Sequence, residues 1–579
     1  MFTSSTGPSP EAGRAARTLW RVSSDCLLLA LPQGLERQRL EGWDTRRFEL
    51  GEGEEQGFHR VRRPPGDWAA ADQLTVRGRP GDSAVWYRTE FAHPGWGDRT
   101  LLRFDGAFTA ANVWLNGRLL GSHFGFPGHF GFDISSFLEP ANVVAVCVEA
   151  GSLPGQLPAA LAQMQDDDGP WWPLGLVGRA WLEQVGSVVV ESLDSAWRLQ
   201  SGVAEATLRT SLRNLDAREM EVVVGWQVIA PESDTAQTRL RRSATIGGHQ
   251  SVTLETRLAV DRPVLWWPWT LGEQSLYTVA ARVDQGARRT TAAARHVGIR
   301  EIGLEPAAGG MAWTINGRRH FPRGAIMPPL PPGEGGDPIG AWRLAGLDLA
   351  VSRGQIPSER TAASADAAGV LLVVDPPAFL PGQGDEEDHQ DHLREAVGLV
   401  SSHASAAVLL QRGGRAPEPD LPTAIATDEP YTVTSTDRDQ VERVRRAKYA
   451  PQTALVLREL PDLADAAGVL AATVVLLDFN PLPDRDAMRL RFHVVNDDSS
   501  VSGHAVVRWR LKPMEQTGWL PFVRDRMGDI DVWLPRSDEP AAVYEAEVNL
   551  PARGGEVVIE VGLEQNGELL SYLEYELEI

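Results

Sequence analysis

Trp171 and Trp172 follow the acidic run Asp166-Asp167-Asp168-Gly169, a combination suited to polyhydroxylated rings. An indole face stacks on the apolar face of a pyranose, and carboxylates accept from its hydroxyls. The same two tryptophans would also serve as packing between domains, as would Trp266, Trp267 and Trp269 in "PVLWWPWTLG". His123 and His129 flank "FGFPG", where an imidazole can meet a ligand or simply sit in a loop. His389 and His392, one helical turn apart in "GDEEDHQDHLRE", could hold a divalent cation. Acids at a helix start are also favoured by the helix dipole, so this run reads as a solvated helix start, and no metal or other cofactor is expected. Asp375 closes the apolar run "VLLVVD", and Asp428 and Glu429 open "DEPYTVTST". Carboxylates at the carboxyl ends of parallel strands stand where barrel sites are built. The segment "HASAAVLLQRGG" carries His403 and Ser405 but ends on Gly413 and Gly414, which have no proton to exchange.

The elements that must position these residues change in texture along the chain. "AVWYRTEF", "ANVWLNGRLL", "NVVAVCVEA" and "SVTLETRLAV" are short, rich in aromatic and β-branched residues, and bounded by turn formers, the pattern of antiparallel sandwiches. "NVVAVCVEA" is apolar on both faces, which suits a strand buried between two sheets. Asn116-Gly117 is a two-residue hairpin signal, because both positions need φ > 0, and Asp133 suits the turn after its strand. From "AGLDLA" to "DHLREAVGLVSSHASAAVLLQ", helical patterns alternate with short apolar runs, which argues for β/α units and a parallel sheet. From about Val474, "LRFHVVND", "HAVVRWRLK" and "GEVVIEVGL" return to the β pattern and predict a final immunoglobulin-like sandwich.

Composition bounds the function. A chain of 579 residues predicts roughly three to five domains. A net charge of -22 without a basic cluster repels phosphate and anionic lipid, so neither nucleic acid nor a membrane is an expected partner. Cys26 and Cys147 give neither a disulfide framework nor metal-ligand spacing. "CLLLALP" is too short for a membrane span and too late for a signal sequence, and a cytoplasmic protein with a frayed start is expected.

Taken in order, several motifs resemble glycoside hydrolase family 2, the β-galactosidases, β-glucuronidases and β-mannosidases. "WYRTEF" with "FDGAFTAANVWLNGRLLGSHFGFPGHFGFDISSFL" is similar to that family's jelly-roll signature. "GPWWPLGLVGRAWLE" resembles the close of its first domain, and "PVLWWPWTLGEQSLYTVAARV" with "HVGIREI" the end of its first immunoglobulin-like domain. "WTINGRRHFPRGAIMPP" is similar to the strand that opens its barrel. The resemblance implies a mostly β multidomain chain: a jelly-roll, sugar-binding-like domain over 1–190, an immunoglobulin-like β-sandwich over 191–304, a shortened (β/α) barrel over 305–473 and a C-terminal immunoglobulin-like sandwich over 474–579.

Enzymes of this family are retaining hydrolases whose two carboxylates stand about 5 Å apart. The acid/base glutamate ends a segment reading His-Pro-Ser, apolar residues, Trp and Asn-Glu. Here His403 and Ser405 match it, Ala404 replaces the proline, Leu409 the tryptophan, and Gly413 and Gly414 the Asn-Glu pair. "DEPYTVTST" resembles the family's fifth strand, and Val351 stands where the family places a substrate-facing arginine. From Trp313 to Val474 there are about 160 residues, against about 250 for an eight-unit barrel, so strands six to eight are expected to be lost or reduced. The resemblance therefore implies a pseudo-hydrolase kept for carbohydrate recognition or as a protein-interaction scaffold. Trp171, Trp172, Asp166, Asp168, His123 and His129 are its ligand-binding candidates, and a homodimer or other protein partner is compatible with it. The alternative is an active retaining β-glycosidase using relocated carboxylates drawn from Asp375, Asp428 and Glu429.

Overall fold

The computed structural model describes residues 26–578, apart from single positions and short runs and the segments 79–83, 151–164, 328–337, 376–399, 411–423, 427–431, 447–453, 458–469, 514–525 and 551–555. The described residues form sandwiches at both ends of the chain and a parallel sheet between them.

The first domain pairs a six-stranded sheet centred on Ala110–Leu115, Ala141–Glu149 and Ala84–Ala92 with a five-stranded sheet built on Arg99–Phe104 and Ala180–Val185. Val85, Tyr87, Val113, Val146, Phe104 and Leu182 fill the space between them. The strand Ala141–Glu149, apolar on both faces from Val143 to Val148, is covered differently from the expectation. Val144, Val146 and Val148 face the opposing sheet, but Ala145 and Cys147 face outward, under a cluster of Phe58, Trp86 and Trp114 with Trp68 against it. Its second cover is thus a folded-over aromatic segment, because Phe58 and Trp68 supply the apolar surface a third sheet would have given. Asn116 and Gly117 adopt φ of 52° and 83°, the mirror-image turn the sequence called for. Asn116 also accepts from the Val143 N–H and donates to the Phe137 carbonyl. Asp133 accepts from the Ser135 N–H at 3.1 Å, closing its turn.

Seven antiparallel strands over Val188–Val297 make a sandwich of three strands against four. Val203–Asn214 alternates between buried and exposed positions along its length, as a half-buried strand must. A three-stranded sheet, Ile302–His320, then leads into the parallel sheet, through an Asn316-Gly317 turn with φ of 49° and 75°.

The parallel strands are β1 (Arg323–Ile326), β2 (Leu349–Arg353), β3 (Leu371–Asp375), β4 (Ala406–Leu410), β5 (Ala424–Ala426), β6 (Thr432–Thr434) and β7 (Leu455–Leu457), in the spatial order 5-4-3-2-1-7-6. Helices α1 (Pro338–Leu344), α2 (Glu359–Ala368) and α3 (Arg438–Arg446) belong to the same region. One expectation is corrected here. Thr432–Thr434 is not the fifth strand: Ala424–Ala426 pairs with β4, and Thr432–Thr434 pairs with β7. Beyond β5 the sheet continues in strands of three residues, with β7 beside β1 and Arg323 opposite Leu455. Strands of three residues carry almost no periodic signal, so their partners could not be read from pattern.

Side chains alternate across the sheet. Ala350, Leu372, Val374 and Leu455 pack under the helices with Trp342 and Ala365. Leu349, Val351, Leu371, Val373 and Val456 form the inner face with Trp266, Trp313 and Ile315. The C-terminal domain, from Thr473, is a second sandwich of three strands against four.

Candidate functional site

The two edges of the parallel sheet differ in chemistry. At the amino edge, Asp366 on α2 lies 2.7 Å from Nδ1 of His403, and its other oxygen accepts the Ser405 N–H at 2.7 Å. Arg300, arriving from the second domain, donates to the carbonyls of Ala404, His403 and Ala406. A second carboxylate, Asp348, is fully buried between His320 at 2.8 Å and the Thr270 hydroxyl at 2.6 Å, and accepts the Arg323 N–H. Burial opposes its charge, but His320 and Arg323 outweigh that and hold its pKa below the ordinary carboxylate value. A third, Asp497 of the C-terminal sandwich, meets Arg445 of α3 at 2.8 Å and Arg323 at 3.4 Å.

Tryptophans weld the second domain to this edge. Trp266 is fully buried and donates to the Asp366 carbonyl at 2.8 Å, and Trp269 donates to the Leu347 carbonyl at 3.0 Å. Packing between domains is their role.

The carboxyl edge carries the groups with chemistry to offer. Arg353 ends β2 directly beside Asp375, which ends β3. By period-two alternation both fall on the inner face with Val351 and Val373, where Arg353 is exposed and Asp375 is only 3% exposed. A cation and a carboxylate side by side at this mouth can grip a polar ligand or orient a hydroxyl. Val351 is fully buried two residues below, in apolar surroundings that offer no partner to the arginine expected of the family.

His129 of the first domain reaches the same edge, its Nε2 2.7 Å from Glu359 in the first turn of α2. His123 does not. It is buried and stacked on Phe130 with ring centroids 4.1 Å apart, a packing position within its own domain.

Asp168, Trp171, Gly413, Gly414, Asp428, Glu429 and the His389–His392 run lie outside the described residues, as do the side chains of Asp166 and Trp172. The backbone of Asp166 pairs with Gly169, and that of Trp172 with Gly78. Among the described residues no group of three or more His, Cys, Asp or Glu side chains has the arrangement to hold a metal ion, and no helix is long and apolar enough to cross a membrane.

Sequence reasoning missed Arg300, Asp366 and Asp348. Their charge gave a signal, since an ionised side chain inside an apolar stretch must find a partner when buried, but the partners lie up to 106 residues away.

Residues 188–300 match the family described as glycosyl hydrolases family 2. An exo-β-D-glucosaminidase of Amycolatopsis orientalis is 26% identical over 255 residues, which is 42% of this chain and 24% of that protein. A β-mannosidase A of Aspergillus terreus is 32% identical over 104 residues, 16% of this chain and 11% of that protein. The sequence matches thus span less than a third of these relatives' lengths. In fold, the exo-chitosanase of Amycolatopsis orientalis matches with a TM-score of 0.72 at 14% identity, covering 94% of this chain and 85% of that one. The β-D-mannosidase of Dictyoglomus thermophilum matches at 0.66 and 12% identity, over 93% and 89%. The family match over residues 188–300 and these partial sequence relatives relate the chain to the family 2 glycosyl hydrolases, and the solved structures share its fold.

Proposed function

We propose that this chain is a noncatalytic relative of the family 2 glycosyl hydrolases that keeps the frame to recognise carbohydrate. One observation carries the reading. In "HASAAVLLQRGG", the residues that survive, His403 and Ser405, hold the entry of β4: Asp366 meets the His403 ring and accepts the Ser405 backbone N–H, and Arg300 donates to the His403 carbonyl. The positions of the asparagine and the acid are Gly413 and Gly414. Glycine can neither protonate a leaving oxygen nor bond the sugar's 2-hydroxyl.

The relatives are named for glucosaminide and mannoside substrates, which directs the ligand toward glycans. Trp171, Trp172, Asp166 and Asp168 supply aromatic faces and hydroxyl acceptors for them. A second reading, an active retaining β-glycosidase, is favoured by Asp375 standing beside Arg353 at the carboxyl edge, with Asp428 or Glu429 as the further carboxylate.

Native mass spectrometry of the full chain with mixed oligosaccharides separates these readings. Bound mass without cleaved product is the expected result, abolished in Trp171→Ala/Trp172→Ala. Cleavage that disappears in Asp375→Asn would replace it with the hydrolase reading. Neither binding nor cleavage would turn the frame into a scaffold for a protein partner or a second copy.

A further inference from the structure

Three domains meet beside the first turn of α2. His129 and Asp105 come from the first sandwich, Arg295 and Asp194 from the second, and Glu359 from the parallel-sheet region. His129 Nε2 is 2.7 Å from Glu359 Oε2, and Nδ1 is 3.6 Å from Asp105 Oδ1. On its far side, Glu359 Oε1 lies 3.8 Å from Arg295 Nη2, while Arg295 Nη1 lies 3.7 Å from Asp194 Oδ1.

The geometry makes a demand on the imidazole. Each ring nitrogen faces a carboxylate oxygen, and a neutral imidazole has one N–H, so one lone pair must point at a negative charge. The imidazolium has two N–H groups: one hydrogen-bonds Glu359, and the other faces Asp105 at ion-pair distance. We propose that His129 is a pH-operated latch between the first domain and α2, closed when the ring is cationic and loosened when it loses a proton.

The surrounding charges set its range. Burial pushes the ring toward neutrality, and Arg103 does the same, although Arg103 is itself paired with Glu183 at 3.2 Å. Asp105 and Glu359 outweigh them and raise the His129 pKa above its ordinary 6.5. Glu359 is held below its ordinary 4.5 against its own burial, by His129 first and then by Arg295 and His403. Asp105 is held below 3.8 against burial by His129, the Arg179 N–H and Arg103.

The signs follow from linkage. The contact contributes fully below pH 6.5 and is lost as pH rises through the raised value. On the acid side it survives until pH falls through the depressed values of Glu359 and Asp105. Since α2 follows β2, whose last residue is Arg353, loosening the latch is felt at the mouth of the parallel sheet. The proposal does not depend on what that mouth binds.

Hydrogen exchange of the full chain, corrected for intrinsic rates and followed from pH 6 to 9, tests it. In the wild type, protection of the α2 amides 359–368 should fall across that range, as pH rises through the raised value. In His129→Gln it should not change with pH. A wild-type profile flat in pH, or a His129→Gln profile that reproduces the wild-type loss, overturns the latch. If His129→Gln does not fold, Glu359→Gln keeps the ring and removes one of its two carboxylates. It should move the loss to lower pH, and an unmoved profile overturns the proposal equally.

Discussion

Asp366 Oδ2 lies 2.7 Å from Nδ1 of His403, and both side chains are buried. The same carboxylate takes the Ser405 N–H on its other oxygen, so one helix residue holds a side chain and a backbone group of the segment entering β4. Substituting Asp366 by Ala leaves His403, Ser405 and the nearby Arg300 without their buried anion. A loss of about 3–5 kcal/mol is expected for breaking a buried pair on one side. Asp366→Asn should lose less, since its amide oxygen still accepts from Ser405. Denaturant unfolding together with exchange protection of residues 403–408 measures the difference, and equal losses for the two variants would contradict the role given to the Ser405 bond.

Asp497 joins the C-terminal sandwich to the parallel sheet through two arginines that are themselves fully buried. Burial lowers the Arg445 pKa to about 10 even with Asp497 beside it. Asp497→Ala should therefore cost about 3–5 kcal/mol, and the sandwich should unfold in a separate, earlier transition by calorimetry. A single unshifted transition would show that Asp497 does not couple the domains.

Glu149 is 5% exposed in the first domain, with its pKa raised from 4.5 to about 7 by burial and then by the charge of Glu54. Between those values the folded state holds a proton that the unfolded state releases, so stability falls as pH rises from 4.5 to 7. Glu149→Gln keeps an oxygen for the Asn112 amide and removes that dependence. It should be more stable than the wild type at pH 8, by at most about 3 kcal/mol, and equal to it at pH 4. Thermal melts at the two pH values decide the point; a wild-type advantage at pH 8 would reverse the sign.

On the proposed reading, placing an acid at Gly414 should not produce turnover. Gly413→Asn with Gly414→Glu supplies one carboxylate where retaining hydrolysis uses two at about 5 Å. The double variant is expected to release no p-nitrophenol from aryl β-glycosides over the wild-type background. Measurable release would mean that a second carboxylate already stands in place.

Much of the frame was legible because local chemistry decides it. Asn116-Gly117 and Asn316-Gly317 were readable as turns since few other pairs tolerate positive φ twice. The strand in "SVTLETRLAV" was readable because one face of Ser251–Asp261 is buried and the other meets water. Less of the candidate site could be read. Asp375 was recognisable at the end of its run, but nothing local indicated that Arg353 would stand beside it, since strand register is settled by neighbours. His129 and His123 looked alike in sequence, six residues apart across one loop. Only the fold carried the first to Glu359 and folded the second onto Phe130.

The sequence by itself determined the mostly β multidomain class, the turn signals and the glycines at the end of "HASAAVLLQRGG". Each of these depends on residue type, short-range periodicity or a position in a motif. The tertiary structure alone decided that β7 would close back on β1 and that His403 would serve Asp366. It alone brought three domains' charges together around His129. Those outcomes depend on which distant surfaces meet once apolar faces are buried, and a buried charge must then take the partner the packing brings to it.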